Sequence, residues 1–152
     1  MRSAWEISRV IMRTILPRPL LPRKRRRLVL VSDPGSGHPP ALRPEDLGDF
    51  FLARANAGDV EGLVALYEPG AVLAFPAGQL ATGRDEIRTV YADLLASRPT
   101  FTSAGQRAAI RSGDLALTST RLPGGGTTVE IARRQPDGTW LWAIDQPALL
   151  SA

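Results

Sequence analysis

With no cysteine and one histidine in 152 residues, proton-moving chemistry in this chain falls to carboxylates, phenols, hydroxyls and arginines. The histidine, His38, lies in a Gly/Pro-rich stretch ahead of the patterned sequence, so a histidine base or a histidine-ligated metal is excluded from the rest. No metal and no cofactor is expected. The candidate catalytic residues are Asp145, Tyr91 and Arg133. Asp145 closes the apolar run Trp140-Leu141-Trp142-Ala143-Ile144. A carboxyl drawn inward there would titrate abnormally and could act as acid or base. A Tyr91 hydroxyl could orient a ligand oxygen, and Arg133 could supply a positive charge. Each also has an ordinary role: a strand-end carboxylate, a core ring with a bonded hydroxyl, a solvated ion pair.

The elements that would position these groups follow from periodicity. Leu47, Phe50, Phe51 and Ala55 keep helical spacing after Pro44-Glu45-Asp46, and Asn56-Ala57-Gly58 ends that helix. Asp59 is placed to cap a short second helix with Val60, Leu63, Val64 and Tyr67 on its apolar face, stopped by Pro69-Gly70. Residues 71–75 read as a buried strand and 79–81 as its hairpin partner. Thr82-Gly83-Arg84-Asp85 fits a capping box for a third helix running to about Ala96, with Ile87, Val90, Tyr91, Leu94 and Leu95 on one side. Four strands follow at about 100–111, 114–122, 127–135 and 139–146, separated by Gly-rich turns. Three helices followed by a meandering antiparallel sheet predict an α+β domain.

Pro136-Asp137-Gly138 suits a type I turn with Gly138 left-handed, which pairs Gln135 with Thr139. Counting back sets Ala132 opposite Trp142, Ile131 opposite Ala143 and Val129 opposite Asp145. One face then carries Trp140, Trp142, Ile144 and Ala132; the other carries Leu141, Ala143, Ile131 and Val129, with Asp145 at its end. Both faces are apolar and both need cover. Helices cover one, and a second copy of the chain is expected to cover the other, which predicts a homodimer through the sheet face.

Charge divides the chain. Residues 1–44 hold ten Arg/Lys against Glu6 and Asp33, a net of +8, whereas residues 45–152 hold nine basic and thirteen acidic residues, a net of −4. The patterned part therefore lacks the electrostatic footprint of a nucleic-acid binder. Residues 1–43 are read as a basic, Pro-rich extension, 44–148 as the domain and 149–152 as a tail. The run Arg23-Lys24-Arg25-Arg26-Arg27 has three readings: a nucleic-acid or lipid contact, a disordered arm, or sequence upstream of a misassigned start. The last is preferred. Only Leu28-Val29-Leu30-Val31 follows it, too short for a secretory signal, and no window suits a membrane span. A cytoplasmic protein is expected, and eighteen arginines to one lysine suggest a GC-rich, bacterial gene.

Several ordered motifs carry a resemblance. They are Ala55-Asn56-Ala57-Gly58-Asp59, Leu66-Tyr67-Glu68-Pro69-Gly70-Ala71-Val72, Gly83-Arg84-Asp85-Glu86-Ile87-Arg88, and Arg133 through Trp140 with Ile144-Asp145-Gln146-Pro147. Together, over roughly residues 44–147, the chain resembles the ketosteroid isomerase and SnoaL-like branch of the nuclear transport factor 2-like superfamily. The resemblance implies a cone-shaped fold, three N-terminal helices packed on a curved, mostly antiparallel sheet around a deep pocket. In the isomerases an aspartate on the first strand moves the proton, and a tyrosine on the first helix helps stabilise the enolate. Phe75 and Phe51 stand at those two positions, and neither can do so. A supporting tyrosine matches Tyr91, and no carboxylate stands in the Ile131-Ala132-Arg133 region that matches the sheet acid. Ketosteroid isomerase activity is therefore not expected. Scytalone dehydratase-like sites need histidines that are absent. Limonene epoxide hydrolase-like sites use Asp-Arg-Asp, which Arg133 and Asp145 could imitate in part.

Three functions remain. The first is a dimeric SnoaL-like domain binding an apolar small molecule, with Phe51, Phe75, Tyr91 and Trp142 lining the pocket and no established catalysis. The second is an acid–base enzyme of hydrolase, cyclase or isomerase type using Asp145 with Tyr91 or Arg133. The third is a protein-interaction module whose pocket is collapsed.

Overall fold

Asp46–Asn56 form the first helix, α1, with Leu47 and Ala55 buried on its inner side. Gly58, at φ 71°, turns the chain, and the Asp59 carboxylate accepts the Gly62 N–H at 2.8 Å to cap α2, Val60–Val64. Two strands follow, β1 (Tyr67–Leu73) and β2 (Ala81–Thr82), then α3 (Gly83–Ala96). The remainder is sheet: β3 (Ile110–Ser112), β4 (Leu115–Arg121), β5 (Thr127–Arg134) and β6 (Trp140–Leu149). This computed structural model describes residues 37–76 and 78–149, so the basic run and its three readings lie outside the described residues.

The six strands form one sheet in the order β2-β1-β6-β5-β4-β3, with β1 and β6 parallel and every other pair antiparallel. The helices pack on one face of this mixed, mostly antiparallel curved sheet, giving the expected α+β fold. Leu47, Leu63, Leu73 and Ile87 are fully enclosed between the layers. Each such side chain stabilises the fold by about 1.5–3 kcal/mol through removal from water.

Several local expectations change. The second helix ends at Val64, and Tyr67 opens β1 instead of completing a helical face, because the Leu66 carbonyl accepts the Trp142 N–H of β6 at 2.8 Å. Pro69-Gly70 lies within β1, at the break in its ladder with β6 between Tyr67 and Val72. Arg84 fills that break, donating from Nε and Nη2 to the Tyr67 carbonyl at 2.9 and 2.7 Å. At the start of α3, Glu86 rather than Asp85 reaches back to the Thr82 N–H, at 2.7 Å, while Asp85 pairs with Arg88. The strand expected over 100–111 is reduced to β3 plus scattered backbone bonds to β4, such as Arg107 N–H to Ser119 O at 3.0 Å. The packed region also begins ahead of residue 44. Ala41 is buried and its carbonyl accepts the Trp140 N–H, and His38 Nε2 lies 2.9 Å from an Asp59 oxygen.

The largest correction concerns the β5–β6 hairpin. Its turn forms as expected, with Gly138 at φ 88° and the Gln135 N–H donating to Thr139 O at 2.7 Å. Ala132 pairs with Trp142, also as expected. The register then slips: Ile131 pairs with Ile144 and Glu130 with Asp145, where the uninterrupted count gave Ala143 and Val129. One extra residue on β6 at Ala143 forms a bulge, so Ile144, Asp145 and Gln146 change face, before a second irregularity between Gln146 and Leu149. Asp145 is thereby moved to the helix-covered face and is 4% exposed, whereas Ile144 turns outward at 52%. Asp145 and Arg133 do not share a face.

Candidate functional site

The helix-covered face of the sheet carries Thr118 and Thr120 from β4, Thr128, Glu130 and Ala132 from β5, and Trp142 and Asp145 from β6. Over it lie Phe51 from α1 and Tyr91 and Leu94 from α3. Between these layers is an open cavity of about 290 Å³ whose wall also includes Leu73, Phe75 and Phe101. That volume is at the small end for small-molecule pockets. Phe51 is the aromatic hub, with ring centroids 6.0 Å from Tyr91, 5.8 Å from Phe101 and 6.1 Å from Trp142. Asn56 fixes the Phe101 loop by exchanging two bonds with its backbone, at 3.0 and 2.8 Å.

Asp145 sits at the end of a chain of hydroxyls. Tyr67, wholly enclosed, donates its O–H to Asp145 Oδ2, and the Tyr91 hydroxyl lies 2.5 Å from the Tyr67 oxygen. With the carboxyl ionised the Tyr67 proton goes to it, and Tyr91 is then the donor to Tyr67. Arg84 contributes from outside the cavity, because its grip on the Tyr67 carbonyl ties β1 to α3, two turns ahead of Tyr91.

Glu130 is the cross-strand partner of Asp145 on the same wall, and the Thr118 hydroxyl donates to its Oε2 at 2.6 Å. Burial raises Glu130 above the usual carboxylate range, opposed by hydrogen bonds from Thr118 and Thr128. Asp145 rises from 3.8 to about 7, first through burial and second through the neighbouring Glu130 charge, with the Tyr67 bond pulling the other way. Burial, then the Asp145 charge, pushes both tyrosines well above their ordinary value, so they act as neutral donors. The site thus joins an apolar cavity to a carboxyl that gains and loses its proton near neutrality. Among the described residues, no group of three or more His, Asp or Glu side chains is arranged to hold a metal.

Phe51, Phe75, Tyr91, Trp142 and Asp145 all stand on the wall of this one cavity. Arg133 does not; it lies on the opposite face, half exposed, 3.1 Å from a Glu68 oxygen. Sequence reasoning missed Tyr67 and Glu130. The signal for Glu130 was present, since alternation from Ala132 places it on the Trp142 face. Tyr67 was hidden because 60, 63, 64 and 67 keep helical spacing.

Comparison with known proteins agrees with this architecture. Among curated proteins no sequence matches the chain. A ketosteroid isomerase-like protein from Erwinia carotovora atroseptica superposes with a TM-score of 0.56 at 21% identity, over 66% of this chain and 88% of that one. A protein from Novosphingobium aromaticivorans, nuclear transport factor 2-like with a cystatin-like fold, gives 0.57 at 20% identity, over 70% and 79%. A proposed dehydratase of the same family from Streptomyces avermitilis gives 0.52 at 18% identity, over 70% and 94%. At these identities the likeness concerns the fold. The family model for the SnoaL-like domain matches residues 49–146, which spans every element from within α1 to β6, and on that match the chain belongs to the SnoaL-like family.

Proposed function

We propose that this domain takes a compact, mostly apolar molecule into the cavity and moves a proton on it, with Asp145 as the acid–base group. The observation that carries this reading is the place of Asp145, 4% exposed on the cavity wall beside Glu130, where burial pushes its carboxyl up to about 7. A group that changes protonation near the working pH is the efficient choice for general acid–base catalysis. Tyr67 holds the carboxyl through Oδ2, and Tyr91 backs Tyr67, so the group is positioned without a histidine. Arg133 has no part, being turned away. Phe51 and Phe75 shape the wall and leave isomerase chemistry of the ketosteroid kind without its tyrosine and aspartate. Dehydration, the activity suggested for the Streptomyces avermitilis protein, is one reaction such a site could support.

The test is exchange of carbon-bound hydrogen for deuterium, followed by NMR, in a panel of compact ketones and aminoketones. The expected result is catalysed exchange for part of the panel, abolished in Asp145→Asn. Exchange that is equally fast in the variant, or no faster than buffer for any compound, would refute the reading and leave simple binding without catalysis.

The same proposal includes a homodimer through the outer sheet face. Ile110, Leu117, Ile131, Ile144 and Val72 are paired one to the next across five strands, forming an apolar row with Ile110 71% and Ile144 52% exposed. Such a row matches itself about a two-fold axis. Sedimentation should give a dimer that Ile144→Glu dissociates; a monomeric unsubstituted protein would end this part of the proposal.

A further inference from the structure

The cavity's walls are unequal in charge. Its charged groups are Asp145 and Glu130, with the exposed Asp49 also on its lining, beside neutral polar groups such as Gln106, Thr120 and Thr128. Among the described residues, none of those lining it is lysine, arginine or histidine. Asp145, 4% exposed, uses Oδ2 to accept from Tyr67, while Oδ1 accepts no hydrogen bond from the described residues and keeps access to open space; among the described residues the buried side-chain polar atom without a partner is Trp142 Nε1, a donor. Trp142 stands on this same sheet wall, and Phe51 of α1, with Phe75 and Phe101, completes an aromatic lining around it. An anionic ligand would meet like charge with nothing to balance it, which is costly in an enclosed apolar space. A neutral ligand would satisfy the rings but leave the carboxyls uncompensated.

We propose that the ligand of this pocket is a hydrophobic organic ammonium, its cationic nitrogen set against Asp145 and Glu130 and its hydrocarbon body among the aromatic rings. This rests on the cavity being the functional site, as argued above, and adds the chemical class of what enters it. The ammonium supplies the donors that Asp145 Oδ1 lacks, and ring faces attract cations through their quadrupole. Asp49, exposed on the lining, adds attraction during approach.

Binding then depends on protonation. The groups facing Asp145 are Glu130 from β5, Tyr67 from β1 and Tyr91 from α3, with Asp49 of α1 also on the cavity lining. None is a cation, so an arriving ammonium is the only positive charge among them. It favours the ionised carboxyl, and affinity should fall as Asp145 takes up its proton below about 7.

The experiment is calorimetric titration of the full chain with three compact probes of one shape: 1-adamantylamine, 1-adamantanol and 1-adamantanecarboxylate. At pH 8 the amine should bind about tenfold or more tighter than the alcohol, and the carboxylate weakest. The amine's affinity should drop about tenfold between pH 8 and pH 6 while the alcohol's stays flat. In Asp145→Asn and Glu130→Gln, checked for native near-ultraviolet circular dichroism, the preference for the amine should shrink toward that of the alcohol. Amine and alcohol binding equally, or an amine affinity indifferent to pH, would overturn the ammonium assignment while leaving the pocket reading intact. Failure of all three probes to bind would overturn both.

Discussion

Asp145→Asn should remove a large part of the decline in stability between about pH 4 and pH 7. In the folded chain this carboxyl rises from 3.8 to about 7, chiefly because it is buried and then because Glu130 stands beside it. Below about pH 4 folded and unfolded chains both hold the proton, and the group contributes no pH dependence. Between the two values the folded chain keeps a proton that the unfolded chain has lost, so raising the pH favours unfolding. Above about 7 the folded chain must carry a buried carboxylate. A displacement of roughly three pH units, at ~1.4 kcal/mol per unit, makes this roughly 4 kcal/mol. Against the ~5–15 kcal/mol that stabilises an ordinary domain, that is large. Glu130 remains in both proteins, so the comparison isolates Asp145 and its repulsion with Glu130. Urea unfolding at a series of pH values from 4 to 8 gives the difference directly. The variant's stability relative to the parent should rise steadily across this range and level off near pH 8. A difference constant to within about 0.5 kcal/mol over the series would refute the placement of Asp145 in the cavity wall.

Tyr67→Phe should raise Asp145 further, by roughly one to two pH units, because a hydrogen bond to the ionised form is worth about 1.5–3 kcal/mol; carbon NMR of the Asp145 carboxyl reads this, and an unchanged or lowered midpoint would count against the hydroxyl chain. Arg84→Met keeps the aliphatic stem but leaves the Tyr67 carbonyl without its two donors. A loss of about 1–3 kcal/mol in urea unfolding is expected, and no loss would show that the break between β1 and β6 needs no such partner. Gly138→Ala, at φ 88°, should cost roughly 1 kcal/mol and leave the pH dependence untouched. A change in Asp145 titration with that substitution would mean that the turn, and not the bulge, sets the face on which Asp145 lies.

Much of this protein could be read from the chain alone. Helix spacing at Leu47, Phe51 and Ala55, the Asp59 cap and the Pro136-Asp137-Gly138 turn are local, and local chemistry decides them. The same holds for the excess of carboxylates in residues 45–152 and for the lack of a second histidine. These exclude whole classes of site before any packing is known. Phe51, Phe75, Tyr91 and Trp142 were nameable as a group, and their aromatic rings meet around one cavity.

The decisive feature was not local. Strand side chains alternate, so counting from Trp142 puts Asp145 on the opposite face, and only an extra residue in the ladder reverses that. Whether β6 bulges at Ala143 depends on partners on both sides of it: Ala132 and Ile131 on β5, and Tyr67 and Val72 on β1, a strand far away in sequence. Tyr67 followed the same logic, with helical spacing up to it and a strand bond from Leu66 to Trp142 deciding otherwise. The sequence therefore determined the helix caps and the hairpin turn, because those depend on neighbours a few residues apart, and its ordered motifs carried the resemblance that named the fold family and the aromatic lining. Only the tertiary structure decided that Asp145 faces inward, meets Tyr67 and stands beside Glu130, because burying a carboxyl is tolerable only where distant strands bring it a donor and hold its proton.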